Sequence, residues 1–200
     1  MFIRTCNTRT LALTLTIAGA LLGSWIATAR AESMADWGPA WDRNGKLLLP
    51  EHFRHWVFLG SPLTPNALNG GQAAFPEYHN VYVQPQAFAA YRETGQWPEG
   101  TIMLKELQLT RQATHPDGSS QEASGRGFFP GTLNGIDISV KDSSRFRDTE
   151  GWGFFNFGHH APPYAESAAA QPAEACAGCH MENATNMVFS KFYAPILDAK

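Results

Sequence analysis

Beyond its first thirty or so residues the sequence has little cysteine, no long apolar run, no internal repeat and no block of like charge. Each shortage excludes something. Without a later apolar stretch of ~20 residues there is no segment after the N-terminus to cross a bilayer as a helix. Without basic clusters, and with a formal charge of −3 over 200 residues, neither nucleic acid nor anionic lipid is an expected partner. The cysteines are Cys6, Cys176 and Cys179, and if the first is removed the other two have no third thiol to choose between.

The N-terminus removes it. The first 31 residues, MFIRTCNTRTLALTLTIAGALLGSWIATARA, set Arg4 and Arg9 ahead of an apolar run from Leu11 to Ile26 and close on Ala29-Arg30-Ala31. This is the pattern of a secretory signal peptide cut after Ala31. As a retained anchor the run is short and is interrupted by Gly19, Gly23 and several hydroxyls. Cleavage leaves 169 residues and, by removing three arginines and no acids, takes the formal charge to −6. Residues 32–200 are then expected to form one domain, soluble after cleavage in an exported, periplasmic compartment.

What remains is EACAGCHMEN, with Cys176, Cys179 and His180 at C-x-x-C-H spacing. A structural zinc site needs a second ligand pair, and His159-His160 lies upstream in an aromatic segment. A thioredoxin-type pair expects a preceding strand, whereas Pro162 to Pro172 reads as an Ala/Pro-rich linker. Covalent haem attachment uses all three residues: two thiols add to the haem vinyl groups and His180 ligates the iron. The expected cofactor is therefore one haem c per chain. Only 20 residues follow His180, and Met181 and Met187 lie too near it to reach the opposite haem face. The distal side has to come from the residues before the motif.

Those residues alternate rather than repeat every 3.6. TIMLKELQLTRQ reads as a strand leading to the turn HPDGSS, with a return strand including Gln121 to Phe128. GIDISVKD puts Ile136, Ile138 and Val140 on one face and Asp137, Ser139 and Lys141 on the other. NVYVQP and GWGFFNF are further strands. Helices are predicted from Pro85 with Gly95 as C-cap, briefly from Pro50, over Glu174 to Asn183, and from an Asn186 cap into MVFSKFYAPIL. The fold class is α+β: a mainly antiparallel sheet, a few short helices and a C-terminal helical segment carrying the haem motif.

A late CxxCH behind such a body, together with FRHWVFLGS, NVYVQPQAFAAYRETGQWPEGTIMLKEL, SVKDSSRFRDTEGWGFFNF and FSKFYAPIL, resembles the cytochrome P-460 family from about Trp37 to Leu197. The resemblance implies a mainly antiparallel β domain, usually a homodimer, with two functional branches. Cytochromes P-460 proper oxidise hydroxylamine with a haem cross-linked to a lysine. Cytochromes c-prime-beta lack the link and bind nitric oxide or carbon monoxide in an apolar pocket.

Lys105 sits in a strand apolar on both faces, and a buried ammonium needs a partner or a reaction. By resemblance it falls where the cross-linking lysine would be; otherwise it is expected in a salt bridge at a sheet edge, to Glu106 of a neighbouring chain or to Asp142. Lys141 is the weaker candidate. Hydroxylamine oxidation also needs a base, for which Asp137 is the candidate, with Glu106 and Glu122 as rivals and a solvated surface position as the ordinary reading of each. Phe58, Phe75, Trp152 and Phe154, with Phe128 and Phe129, supply core and one or two caps over the iron. His52, His55, His115, His159 and His160 read as surface or structural residues, His79 as a possible neighbour of the iron, and Arg54 as a propionate partner or a surface residue. The expected function is oxidation of hydroxylamine, or processing of nitric oxide, with electrons passed to a soluble acceptor. Gas binding is the alternative, and pure electron transfer the weakest reading, because no methionine or histidine is suitably placed to close the iron.

Overall fold

A computed structural model describes residues 37–199; the expected signal peptide, residues 1–31, lies outside the described residues. In chain order the strands are β1 (Leu47–Leu48), β2 (Val57–Gly60), β3 (Glu77–Val83), β4 (Ile102–Thr110), β5 (Ser120–Glu122), β6 (Gly125–Gly127), β7 (Pro130–Lys141), β8 (Trp152–Asn156) and β9 (Ser167–Ala168). The helices are α1 (Pro85–Thr94), α2 (Ala177–Asn183) and α3 (Ala194–Leu197). Among the described residues no helix is long and apolar enough to cross a membrane.

The expected α+β class is what forms. Five strands build one antiparallel sheet in the order β2-β3-β4-β7-β8. Its middle strand, β4, is the one with apolar residues on both faces, because a central strand is covered twice. One face packs Ile102, Leu104, Ile136, Ile138, Val140 and Phe155 against Leu47, Phe53 and Ala168. The other packs Val81, Val83, Met103, Trp152 and Phe154 against α1 and the C-terminal segment, through Ala87, Tyr91, Ala177, Met187, Val188 and Ile196. Helix α1 begins at Pro85 and stops where Gly95 turns left-handed, its N–H bonding the Tyr91 carbonyl at 2.7 Å.

Three local expectations need correction. The return strand of β4 is β7, paired from Thr110–Pro130 to Ile102–Val140, while residues 120–127 make the separate ribbon β5–β6. A turn at HPDGSS is present, but it closes the start of this ribbon, with Thr114 and His115 N–H groups bonded to the Ser119 carbonyl. The stretch 162–172 is not a free linker, because β9 pairs with β1 and the Gln171 N–H bonds the Phe154 carbonyl at 2.7 Å. Asn186 caps no helix: Asn186 and Met187 both take positive φ, and Thr185 and Val188 exchange backbone hydrogen bonds at 3.0 and 3.1 Å. A tight reversal replaces the expected helix start, and the chain resumes as a 3-10 turn at Ser190–Phe192 and the short α3.

Candidate functional site

The motif helix α2 begins one residue after Cys176, which is its N-cap, and Cys179 lies in its first turn. Cys176 is partly buried and Cys179 exposed, and neither is in a disulfide. Because Ala177 is buried against the sheet, the helix is pinned by its apolar side and His180 is carried over β8. The imidazole lies between two phenyl rings, Phe154 at 4.6 Å and Phe189 at 4.8 Å between centroids. Its Nδ1 is 2.8 Å from the Met187 carbonyl oxygen, which the left-handed turn at residues 186 and 187 delivers. An Nδ1–H donated there fixes the tautomer and leaves Nε2 as a lone-pair donor for a metal. Burial, the larger influence, holds this imidazole below its ordinary pKa against the opposing pull of the Met187 carbonyl.

The same sheet face carries a charged group. Lys105 on β4 stands opposite Asp137 on β7, with Nζ 3.0 Å from Oδ2 and each side chain about a quarter exposed (25% and 25%). The expected salt bridge therefore exists, but it spans two inner strands instead of lying at an edge, and its partner is neither Glu106 nor Asp142. Phe75 closes over it, with Nζ 4.5 Å from the ring centroid. Asn156 Nδ2 donates to Asp137 Oδ1 at 2.7 Å, and His159 Nε2 lies 3.3 Å from both carboxylate oxygens. Burial alone would raise the Asp137 pKa, but Lys105, Asn156 and His159 outweigh it and leave the carboxyl below its ordinary range. The field of Lys105 is also felt at Cys176 and at His180, so the ion pair and the motif share one electrostatic neighbourhood.

His79, on β3, completes the group. Its Nε2 is buried without a hydrogen-bond partner, and its ring meets Phe75 edge-on at 5.5 Å. Burial first, and Lys105 second, bring its pKa down to about 4 against the opposing field of Asp137. The imidazole is thus neutral at physiological pH.

Several candidates fall elsewhere. Glu106 is not a solvated surface acid: it is 3% exposed on the opposite face of the sheet and paired with Arg54. Arg54 accordingly has a carboxylate partner of its own. Glu122 pairs with Arg111 beside the ribbon. Phe58 is 48% exposed and packs on Tyr82, on the face away from His180, because strand parity sends Leu59 and not Phe58 toward the C-terminal segment. Lys141 lines a cavity of about 670 Å³ with Trp41, Glu99 and Asp142, apart from the motif. Phe128 and Phe129 stand by the ribbon, His115 lies in its turn, and His52 and His55 stack on each other. His160 bonds the Ala161 carbonyl. Trp152 and Phe154 are buried in the core beneath the motif, and Phe75 covers the ion pair. Asn156 and Phe189 were not singled out by sequence, and His159 reads there only as a surface or structural residue; the one legible signal was the parity that puts Asn156 on the same side of β8 as Phe154.

These residues fit a haem held through the motif: two unbonded thiols one helical turn apart, an imidazole with Nδ1 already engaged, aromatic walls around it, and a buried Nε2 on His79 that lacks a partner. A comparison with protein-family models finds a match to Cytochrome P460 over residues 50–190, a span that includes Lys105, Asp137 and the whole CxxCH motif. Among curated proteins none matches the chain.

Proposed function

The chain belongs to the cytochrome P460 family and is a c-type haem protein, and on that premise we propose that it oxidises hydroxylamine, or processes nitric oxide, and passes the electrons to a soluble acceptor. We propose further that Cys176 and Cys179 bind one haem covalently, that His180 ligates its iron through Nε2, and that Lys105 is cross-linked to it. Export to the periplasm, with a mature chain starting at Glu32, and a homodimeric state belong to the same reading. When bound, the haem supplies an iron that holds the nitrogen compound and takes up its electrons.

The observation that carries the reading is the Lys105–Asp137 pair on the sheet face shared with His180. Removing electrons from an N–H compound releases protons, and a base within reach lowers the cost of that step. Asp137, held ionised by its donors, is such a base, and it is one-quarter open to solvent. It also lies where it can accept the proton that the Lys105 ammonium must lose before its nitrogen becomes a nucleophile. His79, neutral and with a buried ring nitrogen, can hydrogen-bond a small polar molecule in the same space. Glu106, the other acid on β4, is committed to Arg54 across the sheet.

Non-enzymatic binding of nitric oxide or carbon monoxide is favoured by one feature, the Phe75 ring that caps Lys105 and meets His79 and lends the site an apolar lid. Pure electron transfer gains nothing, since the Met187 side chain is packed into the core and Met181 is 45% exposed. Anaerobic mixing of the holoprotein with hydroxylamine and an artificial electron acceptor tests the proposal: catalytic acceptor reduction is expected. Nitric oxide binding to the ferrous form without any turnover would replace the enzyme reading with the gas-binding one.

A further inference from the structure

His159 is the residue of the group with no assigned task, and the chain takes trouble to place it. Strand β8 ends at Asn156, whose Oδ1 accepts from the Gly158 N–H at 3.1 Å while its Nδ2 reaches Asp137. The Gly158 carbonyl then accepts from the Ile136 N–H at 3.2 Å, so the backbone after β8 folds back onto β7 beside Asp137. That approach depends on two glycines. Gly135 (φ +153°) has no room for a side chain, since a Cβ would stand 2.6 Å from the Gly158 oxygen and 3.2 Å from the His159 Cα. Gly158 (φ +123°) would drive a Cβ into the His160 ring. The outcome is an imidazole equidistant from both Asp137 oxygens, edge-on to Phe75 at 6.4 Å, and 49% exposed where Asp137 is 25% exposed.

We propose that His159 is the proton outlet of this site, carrying protons from the inner carboxylate Asp137 to solvent. The inference rests on the hydroxylamine-oxidising reading. In each cycle a proton taken up by a carboxylate oxygen of Asp137 shifts the ring, by exchange with solvent, from the Nε2–H to the Nδ1–H tautomer; that proton then passes to the freed Nε2, and the imidazolium releases its Nδ1 proton to water or a buffer base. Asp137 and the ring end in their starting charge states, and no electron moves in the relay. The other titratable groups facing Asp137 and His159 do not serve. His79 is held neutral and buried. Glu77 is 3% exposed and its carboxyl is raised by burial. Lys105 is turned inward under Phe75, and His160 is engaged with the Ala161 carbonyl.

His159→Gln keeps a polar side chain of similar reach but cannot relay a proton. In weak buffer its hydroxylamine turnover should fall by at least about tenfold with KM unchanged, and imidazole or concentrated buffer should restore it, whereas wild-type turnover should not depend on buffer concentration. A loss that no buffer restores would assign His159 a structural role and overturn the proposal, as would no loss at all. A second readout does not use turnover: in the diamagnetic carbon monoxide-bound ferrous protein, long-range proton–nitrogen spectra should show His159 as the Nε2–H tautomer at pH 8, and Asp137→Asn should abolish that preference. An unaltered tautomer would break the Asp137–His159 link. Absence of wild-type turnover would instead defeat the hydroxylamine reading, and the outlet with it, while the tautomer result still reports whether the pair is coupled.

Discussion

The central strand places a cation and an anion side by side, Lys105 and Glu106, and sends them to opposite faces of one sheet. On one face Glu106 is almost wholly enclosed and meets Arg54, whose guanidinium is half in water. The neighbours on that face are mostly apolar, Ile102, Leu104, Ile136 and Ile138, with Tyr82 and with Tyr164, whose hydroxyl is buried without a partner. On the other face Lys105 meets Asp137, and around them stand a histidine with an orphaned nitrogen, a second histidine open to solvent, and the CxxCH motif. Both pairs compensate a charge buried in a sheet. Among the described residues the second pair, unlike the first, has two imidazoles beside it and shares its face with the CxxCH motif, and that separates a functional charge pair from a structural one.

The largest effect should come from the motif itself. Cys176→Ala combined with Cys179→Ala should abolish haem retention through denaturant and acid–organic extraction, while wild-type haem stays on the chain; wild-type haem that extracts quantitatively would contradict covalent attachment. Next, Asp137→Asn should lower hydroxylamine turnover by about 10²–10³-fold with a modest fall in the urea midpoint, because the asparagine keeps the contact to Asn156 but no longer balances the charge of Lys105. A turnover loss matched by a large fall in stability would make the two faces alike.

Arg54→Ala should do the reverse. It strands a carboxylate that is 4% exposed, at a cost of about 2 kcal/mol in denaturant unfolding, and should leave turnover unchanged. A smaller effect belongs to His79. Its imidazole takes protons near the ordinary 6.5 when unfolded but only at about 4 when folded, so as pH falls from 6.5 toward 4 the unfolded state is protonated first and stability is lost. His79→Leu should flatten this part of the pH–stability curve. The Asp137 contribution runs in a lower window, since its depressed carboxyl stabilises the fold above the ordinary carboxylate range and is lost only as pH drops through its folded value.

Much of this was legible from local pattern. The alternation of TIMLKELQLT specified a strand covered on both faces and marked Lys105 as anomalous; the alternation of GIDISVKD set Asp137 apart from Ile136, Ile138 and Val140; Pro85 and Gly95 bounded a helix. What failed was whatever depends on register between strands. Phe58 was named for the pocket because aromatic content carries no parity, and Leu59 faces the C-terminal segment instead. Glu106 read as a surface acid because its partner, Arg54, is 52 residues away. His159 reads as a surface or structural residue because its tie to Asp137 spans 22 residues and relies on two glycines meeting across β7 and the end of β8. The reversal at Asn186 and Met187 was missed for a related reason: the His180 ring, not the local sequence, uses the Met187 carbonyl.

Hydroxylamine oxidation by a cross-linked haem requires Lys105 to be reactive and not merely paired, and one measurement addresses that directly. Proteolysis of the denatured holoprotein followed by mass spectrometry should recover the peptide spanning Cys176 to His180 joined through haem to the peptide containing Lys105, and Lys105→Arg should release the second peptide while still binding haem, because a guanidinium is a poor nucleophile. Wild-type peptides that separate cleanly would contradict the cross-link and leave the Lys105–Asp137 pair as an ion pair alone.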